Sequence, residues 1–374
     1  GNPGTFFWAI LLCMIFYMPT ISLCNTISYS IMKNNPDCDV VKDFPPIRVW
    51  GTVGFIAAMW LTNLTGNKAT DYQFYFAAAA AVILGIYSFT LPAVKPSGKN
   101  LGKKSFAEAL GLNAFSLFKN RKIAIFFVFA MLLGAALQLT NAYGDTFLDD
   151  FKHLSIYKDS IVVKYSTIIL SISQISETLF ILTIPFFLKR FGIKAVMLFS
   201  MIAWVLRFGL FSYGNPSEGL WMIIMSCIVY GMAFDFFNIS GSLFVENTTD
   251  KSIRASAQGL FMMMVNGVGA ILGSTISGYV IDKYFTLRFT NINDLAAHFH
   301  TTISDATVQG YIQGKVITNG MLDKAVEIKE WHQIWLSFAI YALILAVTFP
   351  LVFKYKHNPN EIADDPHAKP LVSQ

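Results

Sequence analysis

Long runs of apolar residues, interrupted only by short polar connections, constrain this chain more than any other feature. A run of about 18 or more residues with few or no charges reads as a membrane-spanning helix. The bilayer core holds no water, so a spanning backbone must satisfy its own hydrogen bonds, which a helix does. We read nine spans, near 5–32, 47–64, 72–92, 123–143, 161–188, 195–213, 219–245, 255–281 and 331–353. The composition agrees: 54% of the 374 residues are hydrophobic and 14% are charged, against about a quarter charged in a soluble domain. A net charge of +5 invites a nucleic-acid reading, but the basic residues sit in short loops between apolar runs, and we exclude it. The four cysteines (Cys13, Cys24, Cys38, Cys227) show no metal-ligand spacing, and neither a disulfide framework nor a metal site is expected.

Charge asymmetry orients the spans. The 93–122 connection carries Lys95, Lys99, Lys103, Lys104, Lys119, Arg121 and Lys122 against Glu108, and is placed in the cytoplasm. Alternation then puts the aspartates 145, 149, 150 and 159 outside, Lys189, Arg190 and Lys194 inside, and the long 282–330 segment outside. Lys354 and Lys356 close the last span inside. The lysine-rich connection is followed by six spans and preceded by three. Transporters built from two six-helix halves carry such a loop between the halves, so three further spans are expected ahead of the first. The organisation read from this is 1–92 as the remainder of an N-terminal half and 93–122 as the inter-half loop. Residues 123–353 form a C-terminal six-helix half, with 282–330 extracytoplasmic, and 354–374 a cytoplasmic tail.

Charged residues at bilayer depth are costly and commonly functional. Glu177 and Asp235 each sit 16 residues from the outer start of a span, near the midplane at 1.5 Å per residue. Desolvation there favours proton uptake near neutral pH. Each has polar company on its own helix face: Gln174 with Glu177, and Asn238 with Asp235. Gln138 and Asn141 share a face of a third span, and Arg48, Thr52 and Phe55 share a face of a fourth. Tyr230 and Phe234 add an aromatic face beside Asp235. Amide and carboxylate groups match the hydroxyls of a ribose, an aromatic face matches a flat base, and buried acids repel phosphate. Structural readings stand beside these. Gln138 and Asn141 equally suit bonding between helices. Arg48 equally suits an anchor at the cytoplasmic edge. Arg207 is read as snorkelling or pairing structurally, and Gly267, Gly269 and Gly273 as permitting close helix contact.

The strings FPPIRVWGTVGF, FAMLLGAALQLTN, SISQISETLFILTIPFFL, YGMAFDFFNISGS and IRASAQGLFMMM resemble the nucleoside:proton symporter family of the major facilitator superfamily, from about Phe16 to His357. PFFLKRFGIKAVM is similar to a degenerate form of the superfamily's loop motif. The resemblance implies an all-α membrane protein, a major facilitator helical bundle with about nine of twelve transmembrane helices present. It implies a substrate site of Arg48, Thr52, Phe55, Gln138, Asn141, Gln174, Glu177, Tyr230, Phe234 and Asp235, with Glu177 and Asp235 as proton-coupling candidates. It implies proton-coupled nucleoside uptake by alternating access in a bacterial inner membrane, with nucleoside, protons and lipid as partners. No cofactor, nucleic acid or enzymatic activity is expected, and a monomer is. The alternatives are a proton-coupled sugar symporter and a transporter-like receptor in which 282–330 senses ligand. An amphipathic stretch is expected near Asp323 to Trp331, within what the sequence allows to be an ordered cap.

Overall fold

A computed structural model describes residues 2–33, 40–68, 70–92, 112–250 and 253–355. Most of the inter-half connection (93–111), the tail from 356 onward and Cys38 lie outside the described residues. The chain divides into two compact units: residues 1–58 with 65–104, and residues 59–64 with 105–374.

The first unit is helical. Helix α1 runs Pro3–Lys33, α2 Val40–Leu64 (its last six residues grouping with the second unit) and α3 Tyr72–Ser88. The apolar runs of α1 and α3 carry no charge, whereas that of α2 carries Arg48, and α3 buries no residue at all. Phe7, Trp8, Phe16, Tyr75 and Phe89 are exposed. Gly66, at φ 72°, makes the turn between α2 and α3 that a side chain would strain.

The second unit begins with a short 3-10 stretch, Leu112–Lys119, and then α4, Arg121–Asp150, whose N-cap Asn120 accepts from the Lys122 backbone N–H at 3.0 Å. A single turn at Ile161–Lys164 leads into α5, Ser166–Tyr213. Its 48 residues would measure about 72 Å as one rod, more than twice a ~30 Å hydrocarbon core. The chain resolves this at Gly192, where φ 78° and ψ 168° break the helix. The two limbs match the separate spans expected at 161–188 and 195–213. Lys189, Arg190 and Lys194 flank the break, and Lys194 Nζ donates to the Pro350 carbonyl at 3.2 Å. Helix α6 is Leu220–Thr248. The next span is compound: α7, Arg254–Met262, a π-turn at Met263–Val268, and α8, Gly269–Tyr284. The unit ends in a last long helix, Trp331–Val352. Arg121–His153, Ser166–Tyr213, Leu220–Thr248, Ser256–Tyr284 and Trp331–Val352 are each long and apolar enough to cross a membrane.

Aromatic rings fill the core. Phe126 stacks on Phe261 at 5.4 Å and lies 4.7 Å from Phe244, while Trp335 gathers Phe147, Phe208 and Phe211. Small residues set the closest helix approach. A Cβ on Gly134 would fall 2.0 Å from the Val265 carbonyl oxygen; one on Gly269 would fall 2.5 Å from that of Met131, and one on Gly273 2.7 Å from Ala135. Helices α4 and α8 therefore touch backbone to backbone, as expected for Gly269 and Gly273; Gly267 meets only Met263, at 3.5 Å.

Between α8 and the last helix stands an element that span-reading did not resolve. Strand β1 (Thr286–Asn291), α9 (Ile292–His298), α10 (Ala306–Ile312), β2 (Ile317–Thr318) and β3 (Met321–Lys329) form a small α+β cap. Its antiparallel sheet has the order β1-β3-β2. The central strand, Met321–Lys329, overlaps most of the 323–331 stretch expected to be amphipathic, and it buries Leu322 and Val326 while Asp323, Lys324 and Glu327 are exposed. The two-residue loop Asn319-Gly320, both at positive φ (51° and 79°), closes the β2–β3 hairpin. Leu295, Val308, Leu322 and Val326 make a core separate from that of the bundle. Asp305 caps α10 by accepting from the Thr307 N–H at 2.8 Å, which holds its carboxyl below the usual carboxylate range. The last helix of the bundle follows and is labelled α11.

Candidate functional site

Helices α4, α5 and α6 carry seven of the ten site residues. Close contact between α5 and α6 is made possible by Gly231: a Cβ there would sit 2.6 Å from the Ser176 carbonyl and 2.7 Å from the Glu177 nitrogen. Ser176 Oγ reinforces the crossing by donating to the Ile228 carbonyl. On the other limb of α5, Ser200 Oγ donates to the Ala233 carbonyl. These contacts seat the backbone of Glu177 against α6 between Tyr230 and the next turn, which carries Asp235.

Tyr230 is 6% exposed and Asp235 5%. Tyr230 and Phe234 stack with planes 4° apart and centroids at 5.9 Å, the offset geometry that aromatic pairs favour. Trp204 meets Tyr230 edge-on at 6.0 Å. Glu177, Gln174 and Gln138 are half-buried and Asn141 is exposed. Phe234 and Trp204 also line a small cleft with Ala233, Leu137, Val265 and Asn238. The Asn238 Oδ1 is buried there with no hydrogen-bond partner among the described residues.

The remaining three site residues, Arg48, Thr52 and Phe55, lie on α2. They belong to the first unit. Thr52 is half-buried and Phe55 is 55% exposed.

Of the two readings of Arg207, snorkelling and structural pairing, burial removes the first: it is 1% exposed, inside the bundle. Its Nη1 donates to the Ser226 carbonyl at 2.8 Å and to Ser173 Oγ at 3.5 Å, and its Nε to Thr140 Oγ1 at 3.4 Å. The guanidinium carbon lies 4.4 Å from the Tyr230 ring centroid and 5.1 Å from that of Phe211. Among the described residues no carboxylate is within salt-bridge distance of it. A buried unpaired charge costs several kcal/mol after relaxation, offset here by polar oxygens and two ring faces. Each of its contacts sits beside a site residue: Thr140 next to Asn141, Ser173 next to Gln174, Ser226 one turn before Tyr230. The signal available in sequence was Arg207 itself, a lone cation among Trp204, Phe208 and Phe211.

Comparison with known proteins supplies the family. A family model described as nucleoside H+ symporter matches residues 1–358. The chain is 50% identical to xanthosine permease of Escherichia coli (strain K12) over 362 residues, which is 96% of this chain and 77% of that protein. It is 48% identical to nucleoside permease NupG of the same organism over 357 residues, 95% of this chain and 76% of NupG. The crystal structure of nucleoside transporter NupG superposes with a TM-score of 0.75 at 47% identity, covering 95% of this chain and 78% of that one. A mutant form of it gives a TM-score of 0.78 at 46% identity, covering 94% and 78%. This chain belongs to the nucleoside H+ symporter family, a membrane transporter of major facilitator fold and not an enzyme.

Proposed function

We propose that this protein takes up nucleosides across the bacterial cytoplasmic membrane by proton-coupled alternating access. The observation that carries the proposal is the Tyr230–Phe234 stack set beside buried Asp235, with Glu177 held against the same helix at Gly231. A stacked pair offers a face to a base. Gln138, Asn141, Gln174 and the two acids offer acceptors and donors to ribose hydroxyls. Arg48, Thr52 and Phe55, on α2, belong to the proposed substrate residues as well. One carboxyl that gains a proton as nucleoside binds, and loses it to the cytoplasm, ties the two fluxes together. Residues 1–92 form part of the N-terminal half, 93–122 the connection between halves, 123–353 the C-terminal half and 354–374 a cytoplasmic tail. The protein works as a monomer in the lipid bilayer of the inner membrane.

The test is uptake of labelled xanthosine, uridine and adenosine in cells lacking their own nucleoside permeases, with and without a proton uncoupler. Uncoupler-sensitive accumulation that excess nucleoside suppresses and sugars do not is the expected result. No accumulation by protein that is folded and in the membrane overturns the reading. Competition by sugars favours a sugar symporter, and binding without accumulation favours a receptor.

A further inference from the structure

The nucleoside reading uses Tyr230, Phe234 and Asp235 of α6 and leaves the next turn of that helix without a role. Tyr230, Phe234 and Asn238 follow one another at intervals of four, which places them along one face. The first two stack with planes 4° apart, so the aromatic column ends on an amide. Asn238 is half-buried, and its Oδ1 is buried with no hydrogen-bond partner among the described residues. A buried acceptor left unmet is costly, and an apolar side chain of the same shape avoids the cost. The turn beyond shows a polar pair that is structural. Ser242 Oγ donates to Gln258 Oε1 at 3.0 Å, and Gln258 Nε2 donates to the Ser242 carbonyl at 2.8 Å. Asn238 opens instead on the cleft, whose walls include Leu133 and Leu137 of α4, Trp204 of α5, Phe234 and Val265 of the π-turn. Buried polar atoms on Ser240 and Trp335 also lack partners among the described residues, but neither residue lines this cleft.

We infer that Asn238 is a specificity-determining residue that reads the edge of the base: a nucleobase lying against Phe234 enters the cleft with its rim, and Asn238 Oδ1 accepts from an N–H on that rim. The inference rests on the transport reading above. Its ligand chemistry follows from the walls of the cleft. Aliphatic side chains and ring faces suit a flat heterocycle. A ribose in the same place would leave hydroxyls unmet against leucine and valine. An asparagine amide offers an acceptor and a donor side by side, the complement of a base edge. A base with a ring N–H or an amino group meets the buried oxygen. A base methylated at that nitrogen leaves the oxygen unmet and adds a methyl in its place. Sites built to hydrogen-bond one ligand group reject an analogue that lacks it far better than apolar pockets reject an extra methylene.

Paired substrates separate this role from a structural one. Uridine is set against 3-methyluridine, and adenosine against its 6-dimethylamino analogue, so that each pair differs in the N–H offered by the base. The measurement is the half-saturating concentration for uptake of each by wild type and by Asn238→Leu, which keeps the shape and removes both amide atoms. Wild type is expected to prefer the N–H-bearing member. Asn238→Leu is expected to raise the half-saturating concentration for that member about tenfold, the effect of one lost hydrogen bond. The two members then become equivalent, and loss of the preference in either pair supports the inference. Asn238→Ala gives the same readout if the leucine variant does not reach the membrane folded. A wild type indifferent within both pairs overturns the inference. So does a folded Asn238→Leu or Asn238→Ala protein that keeps the wild-type preference. If Oδ1 serves only a resident water, both members of a pair weaken together and their ratio is unmoved, which overturns it as well. Wild type that accumulates no nucleoside counts against the transport reading itself, whereas transport with an unmoved preference counts against this inference alone.

Discussion

The bundle interior and the α+β cap treat charge in opposite ways. In the cap, Arg288 pairs with Asp282 and, at 3.1 Å, with Glu327, all of them exposed to water. Where the cap meets α4, Asp150 accepts from Trp331 Nε1 at 3.0 Å and lies 4.0 Å from Lys329. His153 stacks on Tyr311 at 4.7 Å. Burial and the Asp150 carboxylate push the Tyr311 hydroxyl up to about 12, so it stays neutral through the physiological range. Inside the bundle, no carboxylate among the described residues lies within salt-bridge distance of Arg207, and Asp235 is almost wholly buried. Water makes the cap's ion pairs inexpensive and nearly dispensable. Its exclusion makes each interior charge costly and therefore informative.

The largest expected effect breaks this contrast on the interior side. A pH gradient of one unit sustains up to about tenfold accumulation when one proton is coupled. Glu177→Gln or Asp235→Asn, whichever removes the coupling proton, brings the accumulation ratio to about one. Exchange of internal for external nucleoside continues, because the platform is intact. Accumulation that remains fully uncoupler-sensitive in both variants would remove both acids from the coupling role. Next come the glycines that set the helix crossings. Gly231→Ala puts a methyl 2.6 Å from the Ser176 backbone, and Gly134→Ala one 2.0 Å from Val265. Overpacking of this kind costs about 1–3 kcal/mol, and neither backbone can give way as a side chain could. Both variants should melt earlier than wild type in detergent, Gly134→Ala by more. A melting curve unchanged in either would show the crossing to be looser than described.

How much of this was legible in the sequence differs between the same two regions. The five long apolar helices of the second unit were, because the bilayer imposes length and composition on any helix that crosses it. The turn at Gly192 was legible from Lys189, Arg190 and Lys194 around a glycine. Glu177 and Asp235 stood out because charge is rare in such runs. Arg207 stood out equally, but its partners are hydroxyls and rings on three other segments, and no spacing along the chain joins them. Gly231 was invisible for a related reason: its importance lies in the backbone of Ser176, 55 residues earlier in the chain. In the cap, Asn319-Gly320 is the strongest short hairpin signal a sequence offers. The span-by-span reading passed over it because the segment holds no apolar run.

Smaller effects sharpen the cap side of the comparison. Trp331→Phe keeps the ring among Tyr143, Phe147 and Trp335 but removes the donor to Asp150. Leaving that half-buried carboxylate short of one hydrogen bond costs about 1–2 kcal/mol. The loss falls on the junction, so amide exchange should quicken in β1 and β3 while the bundle helices are unchanged. Quickening throughout the bundle would show that the cap and the bundle open as one cooperative unit.

The smallest effect is expected at Arg288. Its two carboxylate partners are more than half exposed. Solvent screens such pairs, and holding a long side chain in one geometry consumes much of the Coulomb gain. Arg288→Ala should therefore leave both the melting temperature and uptake unchanged at physiological salt. A marked loss that high salt reproduces in wild type would mean that this pair, for all its exposure, braces β1 against β3 and the end of α8. The contrast between the two regions would then be one of degree.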